Sequence, residues 1–66
     1  MKTTHDPRYE RLVGQLKDAR LSAGLTQRQV ANALGWRRNM ISYIETGQRR
    51  VDILELLVLA RLYGIS

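Results

Sequence analysis

The sequence predicts an all-α domain of four short helices. Three observations carry that prediction. Apolar residues recur at three- and four-residue steps in successive stretches, and each stretch closes on a glycine. Thr26 with Gln29, and Asp52 with Glu55, have the spacing of capping boxes at helix starts. No segment alternates polar and apolar residues long enough to make a strand.

Asp6-Pro7 opens the first helix, because aspartate can cap free amides and proline suits the first helical position. Leu12, Leu16, Ala19 and Ala23 then mark one face, Val13 widens it, and Gly24 ends it. Thr26 caps the second helix, whose inward face is Val30, Ala31 and Leu34, and Gly35 terminates it. The third helix is expected over about residues 38–45, burying Ile41 and Ile44 and closing at Gly47. Gln48, Arg49 and Arg50 form a basic loop. Asp52 caps the fourth helix, with Ile53, Leu56, Leu59, Ala60 and Tyr63 as its core face and Gly64 as its stop. Residues 1–5 read as a flexible polar arm, and 6–66 as one domain.

A chain of 66 residues is near the lower limit for a self-sufficient core. With no cysteine, neither disulfides nor a thiolate metal site can supplement it. The one histidine, His5, lies in the polar arm without nearby metal partners, and no metal or cofactor is expected. No nucleophile–base pair, carboxylate pair or phosphate-cradling glycine loop points to an enzyme. No apolar run approaches the roughly 18–20 residues of a membrane span, and the N-terminus lacks a signal-peptide stretch, so the cytoplasm is the expected compartment. The net charge is +5. Residues 26–50 hold five arginines against the single acid Glu45, which centres the positive field there and favours a polyanionic partner. A merely solvated basic face is the plainer reading of charge alone.

The spacing from Leu25 to Gly47 fits a helix-turn-helix, which sets its second helix in the major groove of DNA. Gly35 supplies the tight turn and the small Ala31 allows close helix approach, while Trp36 follows as an apolar plug. With Ile41 and Ile44 inward, Arg38, Asn39, Ser42 and Tyr43 point outward. Arginine can grip guanine bidentately and asparagine can grip adenine. The same four could be ordinary exposed residues of an amphipathic helix. That alternative leaves the flanking glycines, the caps and Ala31 without a common reason.

The pattern Leu25-Thr-Gln-x-x-Val-Ala-x-x-Leu-Gly35, followed by Ile41-Ser-x-Ile-Glu45-x-Gly47-x-Arg49, resembles the lambda-repressor/Cro-type (XRE-like) helix-turn-helix family of bacteria and phages. The resemblance runs from about Ala19 to Ile65. It implies a compact lambda-repressor-like bundle of four or five helices that binds double-stranded operator DNA, usually as a homodimer, and regulates transcription. By position it implies that Arg38 and Asn39 face base edges and that Ser42 and Tyr43 read or flank neighbouring bases. It places Thr26, Gln27 and Arg28, at the start of the second helix, against phosphates. Arg37, Gln48, Arg49 and Arg50 join them on the backbone. Arg20 and Glu45 match a partly buried ion pair joining the first and third helices, although Arg20 could also be a free surface arginine.

The chain departs from the family in three places. Arg37 stands where serine or threonine often caps the recognition helix, Trp36 is larger than the usual plug, and Val51 stands where proline is common. Many members continue past the position of Ile65 into another helix. Leu54, Val58 and Leu62, four residues apart on the fourth helix, could then form a dimer seam, a docking site for a further C-terminal segment, or a wide core face. The leading functional expectation is a sequence-specific DNA-binding regulator, a repressor. The alternative is an antitoxin-like module with a protein partner and autoregulatory DNA binding.

Overall fold

The computed structural model describes residues 6–65. The expected arm at 1–5, with His5, lies outside them, as does Ser66. Over the described residues all regular structure is helical: α1 (Pro7–Ser22), α2 (Gln27–Leu34), α3 (Met40–Glu45) and α4 (Ile53–Tyr63). The fold is of the lambda-repressor-like type.

Local chemistry sets most of the boundaries. The Asp6 carboxylate accepts the Arg8 backbone N–H at 2.8 Å, with Pro7 as the first helical residue. At α2, the Gln29 N–H donates to Thr26 Oγ1 at 3.1 Å and the Thr26 N–H to Gln29 Oε1 at 2.8 Å. At α4, the Glu55 N–H donates to Asp52 Oδ1 at 2.8 Å and the Asp52 N–H to Glu55 Oε1 at 3.1 Å. Gly35 turns the chain with φ +67°, a left-handed conformation that glycine adopts without steric cost. The next amide, of Trp36, then donates to Ala31 O at 2.9 Å.

One core joins all four helices. Ile41, Ile44, Leu59 and Val30 are fully buried, and Leu16, Ala31, Val51 and Tyr63 complete the cluster. Each such aliphatic side chain contributes about 1.5–3 kcal/mol over leaving it exposed. α1 packs against α3 and α4, and α2 against α3. Trp36 is half-buried against this core. Val51 is buried, and its N–H donates to the Tyr9 hydroxyl at 2.9 Å. Proline, common at that position in the family, could not make this bond.

Four sequence expectations are corrected. Ala23 is exposed, because α1 ends at Ser22 and Ala23 is its C-cap. Val13, expected to widen that face, is buried. Ile53 is 74% exposed, because the core stripe of α4 centres on Leu59 and Tyr63 and Ile53 falls beyond its edge. α3 starts at Met40, so Arg38 and Asn39 lie in the turn before it. Asn39 has φ −94° and ψ 0°, outside the extended region of an N-cap, and its side chain makes no capping bond. Met40 therefore enters through a tight turn, its N–H donating to Arg37 O at 3.1 Å. The Leu54–Val58–Leu62 stripe also divides. Four-residue steps drift about 40° each on a 3.6-residue helix, so Leu54 and Val58 are exposed while Leu62 packs on the core. The apolar surface that α4 exposes is Ile53, Leu54, Leu57 and Val58.

Candidate nucleic-acid interface

The α2–turn–α3 unit is held by a buried polar network. Arg20 Nε donates to Glu45 Oε2 at 2.7 Å and Nη2 to Oε1 at 3.1 Å. Arg20 Nη1 donates to Leu25 O at 2.8 Å. Gln27 Nε2 donates to Glu45 Oε1 at 2.9 Å. Thus α1, α2 and the end of α3 meet at one carboxylate. The Arg20 and Glu45 side chains are only 7% and 5% exposed. A charge buried this far is tolerable only when paired. The hydrogen bonds to Glu45 raise the Arg20 guanidinium above its ordinary pKa.

From this base the outward residues fan out. Arg37, Arg38 and Asn39 are exposed in the turn, Tyr43 is exposed one helical turn later, and Ser42 is half-buried. Asn39 Nδ2 lies 3.2 Å from the Tyr43 hydroxyl, which brings two of the proposed base-facing side chains together. At the start of α2, Thr26 and Arg28 are exposed and Gln27 is half-buried, held by Glu45. An amide nitrogen carries two N–H groups, so the bond to Glu45 leaves Gln27 one to offer outward.

The loop after α3 is organised by residues from outside the motif. Gln48 Nε2 donates to Thr46 Oγ1 at 3.2 Å, and Thr46 Oγ1 to Ser42 O at 2.9 Å. The Arg49 N–H donates to Tyr43 O at 3.0 Å, tying the loop to α3. The Arg50 guanidinium lies over the Tyr9 ring, 5.9 Å from its centroid. Arg49 does not project openly toward a backbone. It makes a two-armed pair with Glu55, Nη1 to Oε1 and Nη2 to Oε2, each at 2.8 Å. That pair raises the arginine and holds the Glu55 carboxyl below the ordinary carboxylate range.

Sequence reasoning missed two participants. Tyr9 supports Val51 and Arg50 from 42 residues away from Val51, and no periodicity encodes such a contact. Glu55 was legible as a capping residue but not as the partner of Arg49. The opposite charges six residues apart across a loop were the available signal.

Among the described residues no helix is long and apolar enough to cross a membrane. No curated protein and no solved structure matches the chain. A family described as Helix-turn-helix matches residues 16–66, which span all of α2, α3 and α4 and most of the Arg20–Glu45–Gln27 framework's host helices. The chain therefore belongs to the Cro/C1-type helix-turn-helix family, a family of DNA-binding regulatory domains.

Proposed function

We propose that this protein is a sequence-specific transcriptional repressor that reads duplex DNA in the major groove through the 37–39 turn and α3. One observation carries the reading. Arg38 and Asn39 in the turn into α3, and Tyr43 on α3, are exposed, while Ile41 and Ile44 of α3 are fully buried. Polar side chains on so firmly seated a support can meet base edges without losing much conformational freedom. Arg38 and Asn39 are assigned to base edges, with Ser42 and Tyr43 flanking them. Thr26, Gln27, Arg28, Arg37, Gln48 and Arg50 are assigned to the phosphate backbone.

One recognition element reads few base pairs, so the active species is a two-fold dimer on an inverted repeat. Its seam is assigned to the exposed apolar face of α4, where Ile53 and Leu54 are 74% and 70% exposed. A cluster of this kind on so small a domain marks an association surface. The site of action is the cytoplasm. The same face supports a second reading, an antitoxin-like module that binds another protein there.

Selection of bound sequences from a random duplex pool tests the proposal. The expected result is an enriched inverted repeat with half-sites about one helical turn apart. A pool that stays random after repeated rounds overturns sequence-specific reading. Enrichment of an isolated site by a monomer overturns the dimer and favours the second reading for the α4 face.

A further inference from the structure

Arg49, in the basic loop after α3, is held by a carboxylate of α4. Both arms of Arg49 are occupied by Glu55, at 2.8 Å each, and Nη1 also reaches Arg50 O at 3.3 Å. Glu55 does not depend on Arg49 for its position. It sits in the first turn of α4, where the helix dipole favours an anion, and its Oε1 accepts the Asp52 N–H at 3.1 Å. Its side chain is 16% exposed, against 43% for Arg49. The Arg50 guanidinium lies over the Tyr9 ring, 5.9 Å from its centroid.

We infer that Glu55 limits the DNA affinity of this protein by withdrawing Arg49 from the phosphates. The inference rests on the DNA-binding reading above. A guanidinium fork fits a carboxylate as well as it fits a phosphate. To reach the backbone, Arg49 must give up one two-armed anion for another. Doing so would leave an uncompensated Glu55 beside the phosphates it had been shielded from. The exchange brings no net charge to the duplex, so it releases no counterion. Sequence-independent affinity scales with the number of phosphates neutralised. Arg49, held by Glu55, adds nothing to that number.

Glu55→Gln is the decisive variant. Its amide oxygen can still accept the Asp52 N–H, so the α4 cap survives while the charge that holds Arg49 is removed. The probe is a random-sequence duplex of about 20 base pairs, two helical turns, titrated over a range of salt. Glu55→Gln is expected to bind more tightly and to steepen the slope of log affinity against log salt by about 0.9. Arg49→Ala is expected to keep the wild-type slope. The double variant is expected to return to that slope, which separates release of Arg49 from mere loss of a negative charge. A Glu55→Gln slope equal to wild type overturns the inference, and so does an Arg49→Ala slope shallower by about one unit. Should Glu55→Gln fail to show a native thermal transition, Arg49→Ala decides alone, because it leaves both capping partners in place. Wild-type protein that binds no duplex even at low salt overturns the DNA-binding reading itself. Binding with slopes indifferent to Glu55 overturns this inference only.

Discussion

Glu45 is where the fold should be most sensitive to a single polar change. Glu45→Ala removes the acceptor for Arg20 Nε, Arg20 Nη2 and Gln27 Nε2 at once. Arg20 keeps its bond to Leu25 O, but its guanidinium remains in a site where the side chain is 7% exposed. Removing one partner of a pair buried to this degree costs about 3–5 kcal/mol, chiefly because the other charge stays buried. At roughly 0.05–0.15 kcal/mol per residue, a domain of 66 residues has about 3–10 kcal/mol in total. The variant should therefore lose a large share of its stability. At about 4–8 °C per kcal/mol for a domain of this size, a loss of 3 kcal/mol lowers the melting temperature by about 12–24 °C.

Thermal and urea unfolding followed by circular dichroism measures the effect. The full cycle of Glu45→Ala, Arg20→Ala and the double variant isolates the coupling. Arg20→Met/Glu45→Leu, which removes both charges and fills the space, should lie close to wild type. A Glu45→Ala loss below about 0.5 kcal/mol, within the range of an ordinary surface change, or a cycle without coupling, would refute the assignment of this network as the brace of the site.

Burial pushes the Tyr63 phenol up from an ordinary 10.0 to about 12. Because the folded value is the higher, the stability Tyr63 contributes is complete below pH 10 and declines as pH rises through about 12. Phenolate absorbance should show a late-titrating group in the native protein, and Tyr63→Phe should remove it. An unchanged native titration in that variant refutes the claim. On DNA, Asn39→Ala should relax preference at one base position while leaving random-duplex affinity nearly intact. Arg50→Ala should weaken all sequences alike and make the salt slope shallower by about one unit. Proportional loss of specific and non-specific binding in both variants would contradict that division of roles. Val58→Asp should weaken self-association in sedimentation without shifting the melting transition, since Val58 is 40% exposed. A wild-type monomer at high concentration, on and off DNA, refutes the seam.

The features legible in the sequence are those decided within one helical turn. Asp6-Pro7, the Thr26–Gln29 and Asp52–Glu55 boxes and the Gly35 turn depend on neighbours two to four residues away, so residue type and spacing suffice. What escaped depends on packing between distant segments. Ile53 has the right type and spacing for a core residue, yet the buried stripe of α4 centres on Leu59 and Tyr63 and leaves Ile53 outside it. The contact of Tyr9 with Val51 spans 42 residues and has no periodic signature. In the site, the charge pattern marked Arg49 and Arg50 equally. Only the folded geometry shows that Arg49 is held by the Glu55 carboxylate.

The late start of α3 bears on how the proposed readers can be tested. Six residues are too few to hold a helix by intrinsic propensity. α3 stands because Ile41 and Ile44 are buried and Glu45 is locked into the network at its C-terminal end. Its N-terminal end carries no side-chain cap, and at φ −94° and ψ 0° the backbone of Asn39 is not set for one. The Asn39 side chain therefore does not cap α3, and its amide is directed to the Tyr43 hydroxyl instead. Asn39→Ala should change stability by no more than about 0.5 kcal/mol, where loss of a true cap would cost about 1 kcal/mol. Base preference lost in a variant that melts like wild type is then a loss of reading, not of folding. A cap-sized drop in stability would mean that Asn39 supports α3, and that its effect on DNA could be indirect.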